Sequence, residues 1–71
     1  PDGIPIAGVS IDWVRAHPEY VARVHEQGHR VHVWTVDEPD DVRLCVSLEV
    51  EAIISNRPAM VRGVLEAKPG T

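Results

Sequence analysis

The residues able to do chemistry fall at a few places along the chain. Trp34 stands near the end of an apolar run over residues 30–36, just ahead of the carboxylates Asp37, Glu38, Asp40 and Asp41. Asn56 and Arg57 come directly before Pro58, at the opening of another apolar pattern. A tryptophan at a strand end lines a pocket or packs in a core. An arginine at a turn between strand and helix can grip a phosphate, as its planar fork matches two phosphate oxygens. The four carboxylates could hold a cation or act as acid and base. Helix capping explains them better, because an acidic side chain beside free helix amides is stabilising by about 0.3–1 kcal/mol. His25, His29 and His32 have ligand-like gaps, which raises a structural zinc site as an alternative. Gly28 ends a helix between His25 and His29, and His29 and His32 point to opposite faces of a strand. They are therefore read as polar surface or interior residues. Cys45 has no histidine or acid at a fixed spacing to activate it and reads as a small core residue. Trp13 has no motif around it and reads as packing or a partly exposed loop residue.

The elements that must position these residues show in the hydrophobic period. Pro18 opens a helix with Val21 and Val24 on one face, Glu19 and Arg23 as an i, i+4 pair, and Gly28 as its left-handed stop. Residues 30–36 form a strand, with Val31, Val33 and Thr35 facing one way and His32, Trp34 and Val36 the other. Both faces are largely apolar, as in a parallel strand covered on two sides. Pro39 opens a second helix, carrying Val42, Cys45 and Val46 and ending near Glu49. A short strand over residues 50–55 follows. The helix opened by Pro58 then has Met60, Val61, Val64 and Leu65 on its buried side, weakened at Gly63 by about 1 kcal/mol relative to alanine. Pro18, Pro39 and Pro58 lie 21 and 19 residues apart, so one strand-then-helix unit recurs. Such alternation predicts right-handed βαβ units and a parallel sheet. Ahead of Pro18, residues 6–11 are expected to form one more strand, broken by Gly8, and residues 12–17 a loop.

With 71 residues, this is one domain at most, small enough that burial barely offsets chain entropy without outside support. A strand apolar on both faces points the same way, and the chain, opening Pro1-Asp2-Gly3, is expected to be a piece of something longer. The single cysteine excludes an internal disulfide. A formal charge of -4 without any cluster of Lys or Arg argues against a nucleic-acid surface. No apolar run is long enough to span a membrane, and a cytoplasmic location is the default expectation.

The run "HPEYVARVHEQGHRVHVWTVDEPDDVRLCVSLEVEAIISNRPAMVRGVL" resembles the C-terminal end of the glycerophosphodiester phosphodiesterase family. The resemblance covers about residues 17–65, and its most specific part is "VHVWTVD" with "NRP" beginning nineteen residues after Asp37. It implies an α/β fold: the last two to three β/α units of a TIM-type (β/α)8 barrel, with parallel strands and helices on one face. A whole barrel of this type takes about 250 residues. Residues 1–71 would be the C-terminal fragment of such a barrel domain.

The family's chemistry is metal-dependent hydrolysis of glycerophosphodiesters to an alcohol and glycerol phosphate, a hydrolase activity of lipid metabolism. Its histidine pair and metal carboxylates belong to the N-terminal half and have no counterpart here. The resemblance thus implies no catalytic or metal residue in this chain, and a divalent cation, Mg or Ca, only in the complete barrel. Trp34 matches the family tryptophan that lines the substrate site, and Asn56 and Arg57 fall on the same barrel face, where the arginine could meet a phosphate or the two could equally serve as a cap and a barrel-closing ion pair. The chain alone is expected to be inert. Its expected partners are the remainder of the barrel or identical chains, with a glycerophosphodiester substrate in the complete enzyme. The alternative is a non-catalytic structural or self-assembly module derived from the family. The sequence departs from the family pattern at Glu49, where a glycine is usual, at Glu51 for Asp, Ala52 for Gly, and Ser55-Asn56 for Thr-Asp. Glu49 should cost most, and the turn there is expected to differ.

Overall fold

The computed structural model describes residues 5–67. Three parallel strands, β1 (Ile6–Ser10), β2 (Arg30–Trp34) and β3 (Ala52–Ile53), pair in the order β1-β2-β3. Between and after them run α1 (Ile11–Ala16), α2 (Glu19–Glu26), α3 (Pro39–Ser47) and α4 (Pro58–Glu66). Among the described residues no helix is long and apolar enough to cross a membrane.

The register divides the sheet into two unlike faces. Ala7 and Val9 align with Val31 and Val33, and Ile53 aligns with Val33. This face joins Ile11, Val14, Val21, Val24, Val36, Val42 and Cys45 in one core. On the other face Gly8 aligns with His32, Ser10 with Trp34, and Ala52 with His32. No helix of the described residues covers it. Among the described residues β2 is therefore covered on one side only.

Residues 12–17, expected as a loop, are mostly helix α1. The Ser10 hydroxyl accepts from the Trp13 amide at 3.1 Å, which satisfies one of the free donors at the helix start. Ile11 and Val14 then bury the same side of the turn. Trp13 stays about half exposed, its ring 4.1 Å from that of His17 and edge-on to Tyr20. The expected Glu19–Arg23 pair is not formed; Glu19 instead lies 3.7 Å from His17 Nδ1.

α2 and α3 end with the same hydrogen bonds. After α2, Gly28 N–H donates to His25 O and His29 N–H to Val24 O, with Gly28 at φ +79°. After α3, Glu49 N–H donates to Val46 O and Val50 N–H to Cys45 O, with Glu49 at φ +61°. Both are Schellman stops, which need a left-handed residue. The turn at Glu49 therefore keeps the glycine-type geometry despite its side chain, contrary to expectation. Its two hydrogen bonds and the packing of Val50 against the core outweigh the strain. Glu49→Gly is expected to stabilise the chain by about 1 kcal/mol, or about 4–8 °C in Tm, by removing that strain. Thermal unfolding of the two forms measures it.

β3 is shorter than the expected 50–55. Outside its two residues the pairing continues through single bonds, Glu51 N–H to Val31 O, Ile54 N–H to Val33 O and Val36 N–H to Ile54 O. Val46 and Leu65, expected on buried helix faces, are exposed, and no residue of α4 is fully buried. Both line an open groove beside β3 with Cys45, Val50, Ile53 and Val61. Their helical spacing places them on a helix face, but that face is not buried among the described residues.

Candidate functional site

Trp34 ends β2 at the C-terminal edge of the sheet, where a cis peptide bond joins it to Thr35. Its ring lies on the uncovered face, 45% exposed, with Nε1 3.6 Å from where a Cβ on Gly8 would stand. Within this chain Trp34 is not a core residue. Because the strands are parallel, the loops after β2 and β3 emerge at the same end of the sheet as Trp34.

Those two loops are tied together through Asp37. Its Oδ1 accepts from the Ser55 hydroxyl and from the Asn56 amide, each at 2.9 Å. Its backbone oxygen accepts from Arg57 Nη1 at 2.9 Å. Ser55 Oγ accepts from the Arg57 amide at 2.8 Å. These bonds hold the Asp37 carboxyl below its usual pKa, the Asn56 amide first and the Ser55 hydroxyl next. Asn56 and Arg57 are both exposed. The structure thus brings Asn56 and Arg57 to one end of the sheet with Trp34, linked by a residue that sequence reasoning assigned to a helix cap.

The other carboxylates divide the same way. Glu38 is the α3 N-cap residue, with no side-chain bond to the helix. Asp40 and Asp41 occupy the first turn, where the dipole favours them, yet each is held by an arginine instead of by helix amides. Asp40 meets Arg43 at 2.6 Å. Asp41, only 7% exposed, takes Arg15 Nε at 2.9 Å on one oxygen and Nη2 at 3.0 Å on the other. That pair fastens α1 to α3 and has no free carboxylate to offer.

Glu51 is the second residue whose role the sequence did not reveal. Its Oε1 accepts the Val31 amide at 2.7 Å and meets His25 Nε2 at 3.0 Å, so it joins α2, β2 and the entry to β3. The Val31 amide, then His25, lower its pKa below 4.5. Because the folded-state value lies below the unfolded one, this contribution to stability is complete above about pH 4.5 and fades as the pH falls through the folded value. Glu51→Gln is expected to flatten the acid side of the stability profile, read as denaturant midpoints between about pH 3 and pH 6.

Cys45 is fully buried, and its thiol is pushed up to about 11 by burial and then by the Asp41 charge, so it is no nucleophile. Among the described residues no three His, Cys, Asp or Glu side chains stand together so as to hold a metal ion. His25 is engaged by Glu51, and Asp37 and Asp41 by their own donors. The donor set among the described residues does not fit a divalent cation.

Comparison with known proteins bears on this strand-end site. The pattern of the glycerophosphoryl diester phosphodiesterase family matches residues 4–60, which takes in β1 and α1 as well as the later units. A probable glycerophosphodiester phosphodiesterase 2 of Mycobacterium tuberculosis is 41% identical over 51 residues, 72% of this chain and 19% of that protein. A probable glycerophosphodiester phosphodiesterase 1 of the same species is 31% identical over 64 residues, 90% of this chain and 23% of that protein. The dermonecrotic toxin SPH of Ixodes scapularis is 49% identical over 37 residues, 52% of this chain and 10% of the toxin. No solved structure matches. The chain therefore spans about a fifth of the length of the two mycobacterial relatives, 19% and 23%. A match running from residue 4 to residue 60, across all three strands, with Trp34 at the end of β2, and the loop that carries Arg57, makes this chain a member of the glycerophosphoryl diester phosphodiesterase family.

Proposed function

We propose that this chain is the C-terminal part of a glycerophosphodiester phosphodiesterase barrel and supplies one wall of its substrate site. Trp34 gives that wall its apolar surface, Arg57 its positive charge and Asn56 its neutral hydrogen-bonding group. The observation that carries the reading is the half-exposed indole on the uncovered sheet face, at the strand end where barrel enzymes build their active sites. The acid, the base and the carboxylates for a divalent cation, Mg or Ca, come from the rest of the barrel, which also covers the open face and the edges of β1 and β3. The test is release of glycerol phosphate from glycerophosphocholine by a protein carrying the complete barrel, with Mg or Ca present. No product from glycerophosphodiesters of several head groups would overturn the reading.

A second reading has its own support. β1 and β3 are each paired on one side only among the described residues, with Ile6 and Ile54 exposed near them. Unpaired strand edges invite pairing, so a self-assembling module without catalysis is the alternative. It predicts that identical chains, and not a different segment, complete the sheet.

A further inference from the structure

We propose that Asp37 is a positioning residue that, through its carboxylate and its carbonyl oxygen, holds Asn56 and Arg57 beside Trp34 so that the Arg57 guanidinium meets the phosphate of the diester. This rests on the substrate-wall reading above and assigns the contact within it. Three consecutive residues of the loop before α4 are bonded to this one residue: Ser55 by its hydroxyl, Asn56 by its amide and Arg57 by its side chain. Asp37 is itself fixed, since Val36 next to it is fully buried and bonded through its amide to Ile54 O. The β3–α4 loop is thus tied to the Trp34 strand end mainly at one residue, through the carboxylate and the carbonyl oxygen of Asp37.

The division of labour within Asp37 decides what Arg57 is free to do. The carboxylate is taken by a hydroxyl and an amide, while the guanidinium is tethered to a carbonyl oxygen. A carbonyl orients an arginine without neutralising it. Among the described residues Arg57 forms no ion pair, unlike Arg15 and Arg43. One of its five donors is used, the Asp37 carboxylate acts on it only through space, and at an exposed position four donors remain to receive a phosphate from outside.

The experiment uses the protein with the complete barrel and reads two quantities, glycerol 3-phosphate binding by calorimetry and hydrogen exchange of the segment 55–57 by mass spectrometry. In Asp37→Ala, Kd is expected to rise about tenfold and exchange at 55–57 to quicken about tenfold. Asp37→Asn keeps an oxygen acceptor at the same place and should restore both to within about twofold of the parent. Should Asp37→Ala fail to fold, Ser55→Ala, which removes the hydroxyl shared by Asp37 and the Arg57 amide, carries the test in the same direction. Faster exchange with unchanged Kd would overturn the proposal, as would unchanged values of both in a folded variant. A parent that hydrolyses glycerophosphocholine while Asp37→Ala binds normally leaves the proposed function standing and the Asp37 assignment wrong. A parent that neither hydrolyses nor binds overturns both.

Discussion

Trp34→Ala, made in the protein with the complete barrel, is expected to lower kcat/KM about fiftyfold, about 2.3 kcal/mol, while shifting stability by only about 1–2 kcal/mol. The two numbers separate because of where the ring lies. A tryptophan enclosed in a core costs about 3–5 kcal/mol when truncated, enough to unfold a domain of this size. The ring of Trp34 is 45% exposed and stands at the strand end, on the face that no helix of the described residues covers. Its removal leaves no sealed cavity here, but it strips an apolar surface from the strand end. Denaturant midpoint and steady-state kinetics on the same preparation check this. A collapsed midpoint with normal hydrolysis by the folded fraction would make Trp34 a packing residue.

Val33→Asp is expected to abolish folding. Val33 is fully buried in the central strand, aligned with Val9 on one side and Ile53 on the other. The change forfeits about 1.5–3 kcal/mol of side-chain burial and places an unpaired charge in the core, at about 3–5 kcal/mol more. Together these approach the whole stability of a small domain, about 5 kcal/mol at the low end. Ile54→Asp, one residue beyond β3 at an exposed position, should shift the midpoint by about 0.5 kcal/mol only. Circular dichroism and thermal melts distinguish the two. A Val33→Asp chain that melts cooperatively near the parent temperature would mean that the face read here as the core is not one.

This contrast also shows what could be read from the residues. The alternation over residues 30–34 and the proline-opened helices gave β2, α2, α3 and α4, because period and end signals are local. Carried on to residue 36, the alternation failed, since the strand ends at Trp34 and Val36 is buried in the core with Val31 and Val33 while Thr35 is exposed. The helix α1 was missed, since six residues carry too little period; Ser10 followed by Ile11 and Val14 was its only signal. Glu49 was misjudged because the strain of a left-handed residue is visible in sequence, whereas the two hydrogen bonds that outweigh it are not. Val46 and Leu65 were placed on buried faces by spacing, which describes a helix and not its neighbours. For the site, Trp34, Asn56 and Arg57 came from resemblance. The structure adds their common end of the sheet and the bonds of Asp37 to the loop, a link across eighteen residues between Asp37 and Ser55 that no local pattern encodes.

The most direct measurement compares glycerophosphocholine hydrolysis, with Mg or Ca, by the purified 71-residue chain and by the protein that carries the complete barrel. On the proposed reading, in which the acid, base and metal carboxylates come from the rest of the barrel, the chain alone should show no turnover above buffer, while the complete barrel releases glycerol phosphate. Turnover that stays with the isolated chain through successive columns would contradict the account.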